Sequence, residues 1–223
     1  MPTHPAPHGE RHHVRGRLNR LPPDTATDFP TITALRKAAS TCQRCPLWHD
    51  ATQTVFGEGP EHAEIVFVGE QPGDQEDIAG RPFVGPAGHV LDEALEEADI
   101  DRAKVYVTNA VKHFKFEPRG KRRIHSKPNA GEIRACRWWL EKELTLTGAK
   151  LAVALGATAA HALLGEVVSV TSLRGQTVER KDGLRVFLTI HPSFILRLPE
   201  EVDKRAERAR FLEDMRAVAR LMG

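Results

Sequence analysis

Four short apolar runs, alternating with helical patterns, constrain this chain more than any other feature. Residues 64–69, 104–108, 151–155 and 184–190 have the length and the aliphatic content of strands buried on both faces. Between and around them lie helical stretches. Residues 31–41 read as a short helix. Residues 87–98 carry Val90, Leu91, Ala94 and Leu95 on one face. Residues 129–146 carry Ile133, Cys136, Trp139, Leu140 and Leu144. Residues 157–164 and 201–222 complete the set. Strands that alternate with helices predict an α/β fold: a three-layer α/β/α sandwich around a central, mostly parallel four-stranded sheet.

In such sheets ligands gather outside the carboxyl ends of the strands. Four segments stand there: Gly69-Glu70-Gln71-Pro72-Gly73-Asp74, Asn109-Ala110-Val111-Lys112-His113, Gly156-Ala157-Thr158 and His191-Pro192-Ser193. Three of the four are rich in side chains capable of chemistry. The longest segment without periodicity, residues 114–128, reads as a loop. Loops of that length within a domain are often functional.

At 223 residues the chain fits one domain with a sizeable core. The expected division is a flexible tail over residues 1–30, rich in Pro, His and Arg, and a single domain over 31–223. The tail lacks the apolar centre of a secretory signal. Its histidines His4, His8, His12 and His13 are read as ordinary tail residues, not as a metal site. No apolar run is long enough to cross a bilayer. A net charge of +2 does not announce a nucleic-acid partner. Positive charge is instead concentrated in Arg119-Gly120-Lys121-Arg122-Arg123-Ile124-His125-Ser126-Lys127, a pattern of solvated loops that in some proteins touch phosphates. The cysteines are Cys42, Cys45 and Cys136. An odd number with one C-x-x-C pair points to a reducing, cytoplasmic setting, not to a disulfide framework. By spacing alone, Cys42, Cys45, His113 and Cys136 would suit a structural zinc ion as well as an iron–sulfur cluster.

Taken in order, Cys42-x-x-Cys45, Gly69-Glu70-Gln71-Pro72-Gly73, Pro82-Phe83-Val84-Gly85-Pro86-Ala87-Gly88, Thr108-Asn109-Ala110-Val111-Lys112, Cys136 before Trp138-Trp139-Leu140, and His191-Pro192-Ser193 resemble the family 4 branch of the uracil-DNA glycosylase superfamily. The resemblance runs from about residue 35 to the C-terminus. Three departures resemble one subgroup, UdgX: Gln71 where the family has a small residue, His113 where it has cysteine, and the Lys121-Arg122-Arg123-Ile124-His125 loop. Members of that group bind uracil-containing DNA in a covalent complex.

The resemblance implies a role for each residue. Cys42, Cys45, His113 and Cys136 would hold a [4Fe–4S] cluster of structural purpose. Phe83 would stack on an extruded uracil. Asn109 would read it, since an amide both donates and accepts, whereas cytosine presents the opposite pattern and would leave polar groups unpaired. Gly69 would form part of the substrate pocket. His191 would stabilise negative charge on the departing base. Ser193 and residues 85–88 would meet phosphates, and Arg197 would lie near the strand or the sugar. His125 would attack the sugar C1′, oriented by Glu70, with Gln71 and Asp74 completing the shell. The implied function is uracil excision from DNA, with single strands preferred, by a monomer that stays bonded to the sugar. The alternative is a multiple-turnover glycosylase in which water captures the sugar and Glu70 is its base. A third reading, a non-catalytic metal-containing nucleic-acid binder, is weakened by the presence of both Asn109 and His191-Pro192-Ser193.

Overall fold

The sheet is built so that its parallel strands start and stop together. In this computed structural model, which describes residues 28–222, strand β1 (Ile65–Gly69) pairs in parallel with β2 (Val105–Asn109) and with β5 (Leu151–Leu155). β5 pairs in turn with β7 (Arg185–Thr189). The register aligns Gly69 with Asn109 and Leu155 with Thr189, so the loops that follow open on one side of the molecule.

Alternation across the pleat divides the core in two. Val66, Val68, Ala152, Ala154, Val186 and Leu188 face one layer. Ile65, Phe67, Val105, Val107, Val153 and Phe187 face the other. The first layer holds α1 (Ile32–Ala39), α4 (Ala130–Thr147) and α5 (Ala157–Leu164). The second holds α3 (Pro86–Glu97) and α8 (Glu201–Met222). Burial on both faces explains why these strands read as continuous apolar runs. The three-layer sandwich expected from the sequence is present.

Three features depart from the sequence reading. The main sheet has five strands, not four: β6 (Thr177–Glu179) pairs antiparallel with β7 at the edge. It is three residues long with no fully buried side chain, the usual form of a sheet edge that resists further pairing. The segment expected to be a plain loop, residues 114–128, contains a hairpin. Strands β3 (Phe116–Arg119) and β4 (Arg122–His125) pair antiparallel around Gly120 and Lys121. Gly120 takes a φ of +60°, as the tight hairpin turn requires. Charged, solvent-facing strands give no hydrophobic alternation, which is why periodicity missed them. Finally, three short helices were not read from the sequence: α2 (Asp74–Ala79) and α7 (Pro192–Arg197) begin at strand-end segments already singled out, and α6 (Val170–Leu173) follows α5. The expected tail lies outside the described residues, apart from 28–30.

A buried charge pair ties α4 to the end of β2. Lys112 and Glu143 are both fully buried and bonded to each other. The Lys112 ammonium also donates to Thr108 Oγ1 and to the main-chain oxygen of Asn109 at 2.8 Å. Glu143 further accepts from Tyr106, Thr108 and the Gly57 amide. With every partner supplied, the pair holds; with one removed, a bare charge is left inside. Glu143→Leu or Lys112→Met alone should each cost about 3–5 kcal/mol in denaturant unfolding. The double variant should recover a large part of that loss.

Candidate active site

The loops at the carboxyl ends of the parallel strands enclose a cavity of about 960 Å³. Glu70, Gln71, Asp74, Phe83, Asn109, His125, His191, Ser193 and Arg197 all line it. Gly69 lies directly beneath. A Cβ there would fall 2.4 Å from Asn109 Oδ1 and 2.7 Å from the Phe83 ring, so only glycine lets the amide and the ring approach the end of β1. Phe83 itself has a φ of +56°, rare for a side chain of that size. It is held by Gly88, where a Cβ would collide with the Phe83 carbonyl.

Glu70 is the electrostatic centre. One oxygen stands 3.3 Å from His125 Nε2, and the other accepts a hydrogen bond from Thr158 Oγ1. Burial alone would raise its pKa, but the bonds from His125 and Thr158 overcome it and hold the carboxyl below its ordinary value. It is therefore ionised at neutral pH. His125 is about half exposed and closes one wall of the cavity.

His191 caps the short helix α7. Its Nδ1 accepts from the Ser193 amide at 3.2 Å and lies 2.8 Å from the Ser193 hydroxyl. Burial pushes its pKa down to about 4. The ring is therefore neutral, and with Nδ1 accepting, its proton sits on Nε2 as the remaining donor. Arg197 donates to the same Ser193 hydroxyl at 2.9 Å.

Gln71 and Asp74 serve the hairpin. Gln71 Nε2 donates to the carbonyls of Lys115 and Ser126, and its Oε1 accepts from the Lys115 amide, so one amide joins both roots of the hairpin. Asp74 accepts from Arg123 Nε at 2.6 Å. Arg123 also donates to the buried carboxylate of Asp77 and to Thr52 Oγ1, and its guanidinium lies over the Phe114 and Phe116 rings. In the segment 85–88, the Gly85 amide is already taken by Glu76 Oε1 at 2.7 Å.

The cysteines gather on the α1–α4 side. Cys42, Cys45 and Cys136 are buried and unpaired, and their thiols are close enough to influence one another's ionisation. Trp139 Nε1 donates to Cys42 Sγ, and the Lys112 amide to Cys136 Sγ. His113 is buried with Nε2 on Thr54 Oγ1 and Nδ1 without a hydrogen-bond partner. Among the described residues no three His, Cys, Asp or Glu side chains converge on a point the size of one metal ion. A multi-iron cluster spreads its ligands wider. Three free thiols with N–H donors on two of them, and an orphaned imidazole nitrogen, suit such a group.

Thr158, Arg123 and Asp77 escaped the sequence reading. Thr158 had a signal, since Gly156-Ala157-Thr158 stands at a strand end. Asp77 had none, because nothing local ties it to a hairpin 46 residues away.

An aromatic ring, an amide, a neutral imidazole and a histidine–carboxylate pair thus line one cavity at the carboxyl ends of a parallel sheet. Residues 56–216 match the family model described as the uracil DNA glycosylase superfamily, and the chain belongs to that superfamily. A type-4 uracil-DNA glycosylase of Thermotoga maritima is 42% identical over 157 residues, covering 70% of this chain and 78% of its own. The type-4 enzymes of Sulfurisphaera tokodaii and Pyrobaculum aerophilum are 33% and 34% identical, covering 76% and 75% of this chain and 77% and 86% of theirs.

The Thr158 bond has a measurable consequence. Thr158→Val should raise the Glu70 pKa, because burial then acts with one opposing bond fewer. The acid limb of the pH–rate profile for uracil release, where rate falls as Glu70 protonates, should move to higher pH. Thr158→Ser should restore it.

Proposed function

We propose that this protein, acting as a monomer in a reducing compartment, excises uracil from DNA, with single strands preferred. The extruded base would lie against Phe83, with the Asn109 amide at its N3–H and O4 edge. As the bond from C1′ to uracil breaks, its electron pair departs on the base, and His191 Nε2–H stabilises that charge. Ionised Glu70 favours the positive charge growing on the sugar. The observation that carries the reading is the convergence of Asn109, Phe83, His191 and the Glu70–His125 pair on one cavity.

Two fates are open to the sugar. The names of the relatives favour the first, in which water adds to C1′ with Glu70 as its base and abasic DNA is released. The second is capture by His125: an imidazole nitrogen gives its electron pair to C1′, and the proton displaced from the ring passes to Glu70. One observation favours it. His125 lines the cavity with its Nε2 3.3 Å from Glu70, so the imidazole and a carboxylate that could take its proton stand together there.

Cys42, Cys45, His113 and Cys136 are the residues that would hold a [4Fe–4S] cluster. When bound it would supply a structural tie between the N-terminal segment and α4.

A denaturing gel separates the two fates. Protein is mixed with a single-stranded oligonucleotide carrying one uracil and boiled in detergent. Abasic product in excess over protein, with no shifted band, is the outcome for release. A shifted band that resists boiling and is absent in His125→Ala is the outcome for capture. Neither product would overturn uracil excision itself. Iron and acid-labile sulfide should be found at about four each per chain, and Cys136→Ser should lose both together with thermal stability.

A further inference from the structure

The cavity is larger than one nucleotide needs. Its lining runs across the sheet, from Asn109 and Glu70 after β2 and β1, past Gly156 and His191 after β5 and β7, to α6 and α8. Its total of about 960 Å³ is near the top of the roughly 300–1,000 Å³ range of pockets that enclose a whole small ligand. Gly156 and Ala157, just after β5, line the cavity beside His191. Gly156 lies against His191, where a Cβ would be 3.3 Å from that of the histidine, so the two halves meet without a partition of side chains. The walls are Val170 and Thr171 from α6, Leu196 from α7 and Arg210 from α8.

The chemistry of this half is mixed in a particular way. Leu196 is 43% exposed, an apolar side chain left facing solvent at the rim. Arg210 is 68% exposed, and its contact with Glu207 is long, at 3.4 Å. Glu207 is already bonded to Arg174. Arg197 lies on the same rim, also exposed. An apolar wall flanked by available guanidinium groups matches an unpaired nucleobase with its phosphate. It does not match a base pair, whose faces are stacked and whose edge is occupied.

We propose that this extension is a subsite for the unpaired nucleotide next to the flipped uridine. The neighbouring base lies along Val170 and Leu196, and its phosphate meets Arg210 and Arg197. The inference rests on the uracil-excision reading and adds a reason for single-strand preference: the adjacent base must leave its own stack.

The test is a single-turnover uracil-release assay on short single strands. One strand has normal neighbours; two others carry an abasic spacer on one side or the other of the uridine. The expected result is that a spacer on one side slows release about threefold or more, the scale of uncovering a small apolar face. Thr171→Trp, which fills the extension from an exposed position, should slow the normal strand to that level and leave the slow spacer strand unchanged. Arg210→Ala, on the exposed face of α8, should slow the normal and spacer strands alike, because a spacer keeps the phosphate that Arg210 meets. Equal rates with a spacer on either side would overturn the subsite. So would a Thr171→Trp variant that slows every strand alike. Absence of uracil release from all strands would overturn the excision reading itself, and the subsite with it.

Discussion

The flush end of the parallel sheet is the constraint on which the site depends. Because β1 and β2 run in register to Gly69 and Asn109, the residues that follow them emerge side by side. The Ala110 and Val111 amides then bond back to the carbonyls of Gly69 and Glu70, locking the two exits together. One residue of slip would turn Asn109 into the opposite core layer. The Lys112–Glu143 pair closes this joint from below: its ammonium holds the Asn109 carbonyl, while its own backbone amide reaches Cys136. Asn109 and the cysteines thus share one buried residue.

On that platform the active groups are fixed by their neighbours more than by their own segments. His191 owes its tautomer to the cap of a six-residue helix. Glu70 owes its ionised state to bonds from His125 and Thr158, against the effect of burial. Phe83 keeps an unfavourable backbone angle because Gly88 allows the following helix to pack onto it. Each is a residue whose chemistry is set by a contact across the fold.

What was legible in the sequence follows from this. The four parallel strands were readable because two-sided burial leaves an uninterrupted apolar run. α8 was readable to its ends, and the other long helices within a residue or two. The edge strand β6 and the hairpin were not, since their stability comes from pairing and from tethering to Gln71, Asp74 and Asp77. The residues drawn from the family resemblance do converge: Glu70, Phe83, Asn109, His125 and His191 line one cavity. Thr158 and Arg123 stood in segments the sequence singled out, but their contacts with Glu70 and Asp77 were invisible because they join segments tens of residues apart. Gln71 was expected beside the sugar; it lines the cavity but spends its amide on the hairpin roots.

That use of Gln71 makes the hairpin and its anchor one unit. The amide fills three bonds that exist only when residues 115 and 126 are brought together. Without a hairpin, a side chain of that length beneath the cavity would have two donors and an acceptor to satisfy in a largely buried place, and a small residue would be preferred. Without glutamine, the hairpin would lose the clasp at its base, and His125 its fixed distance from Glu70. The two changes are each a burden alone and an asset together. A graft of the basic hairpin onto a relative with a small residue at that position would therefore carry the histidine but not its aim.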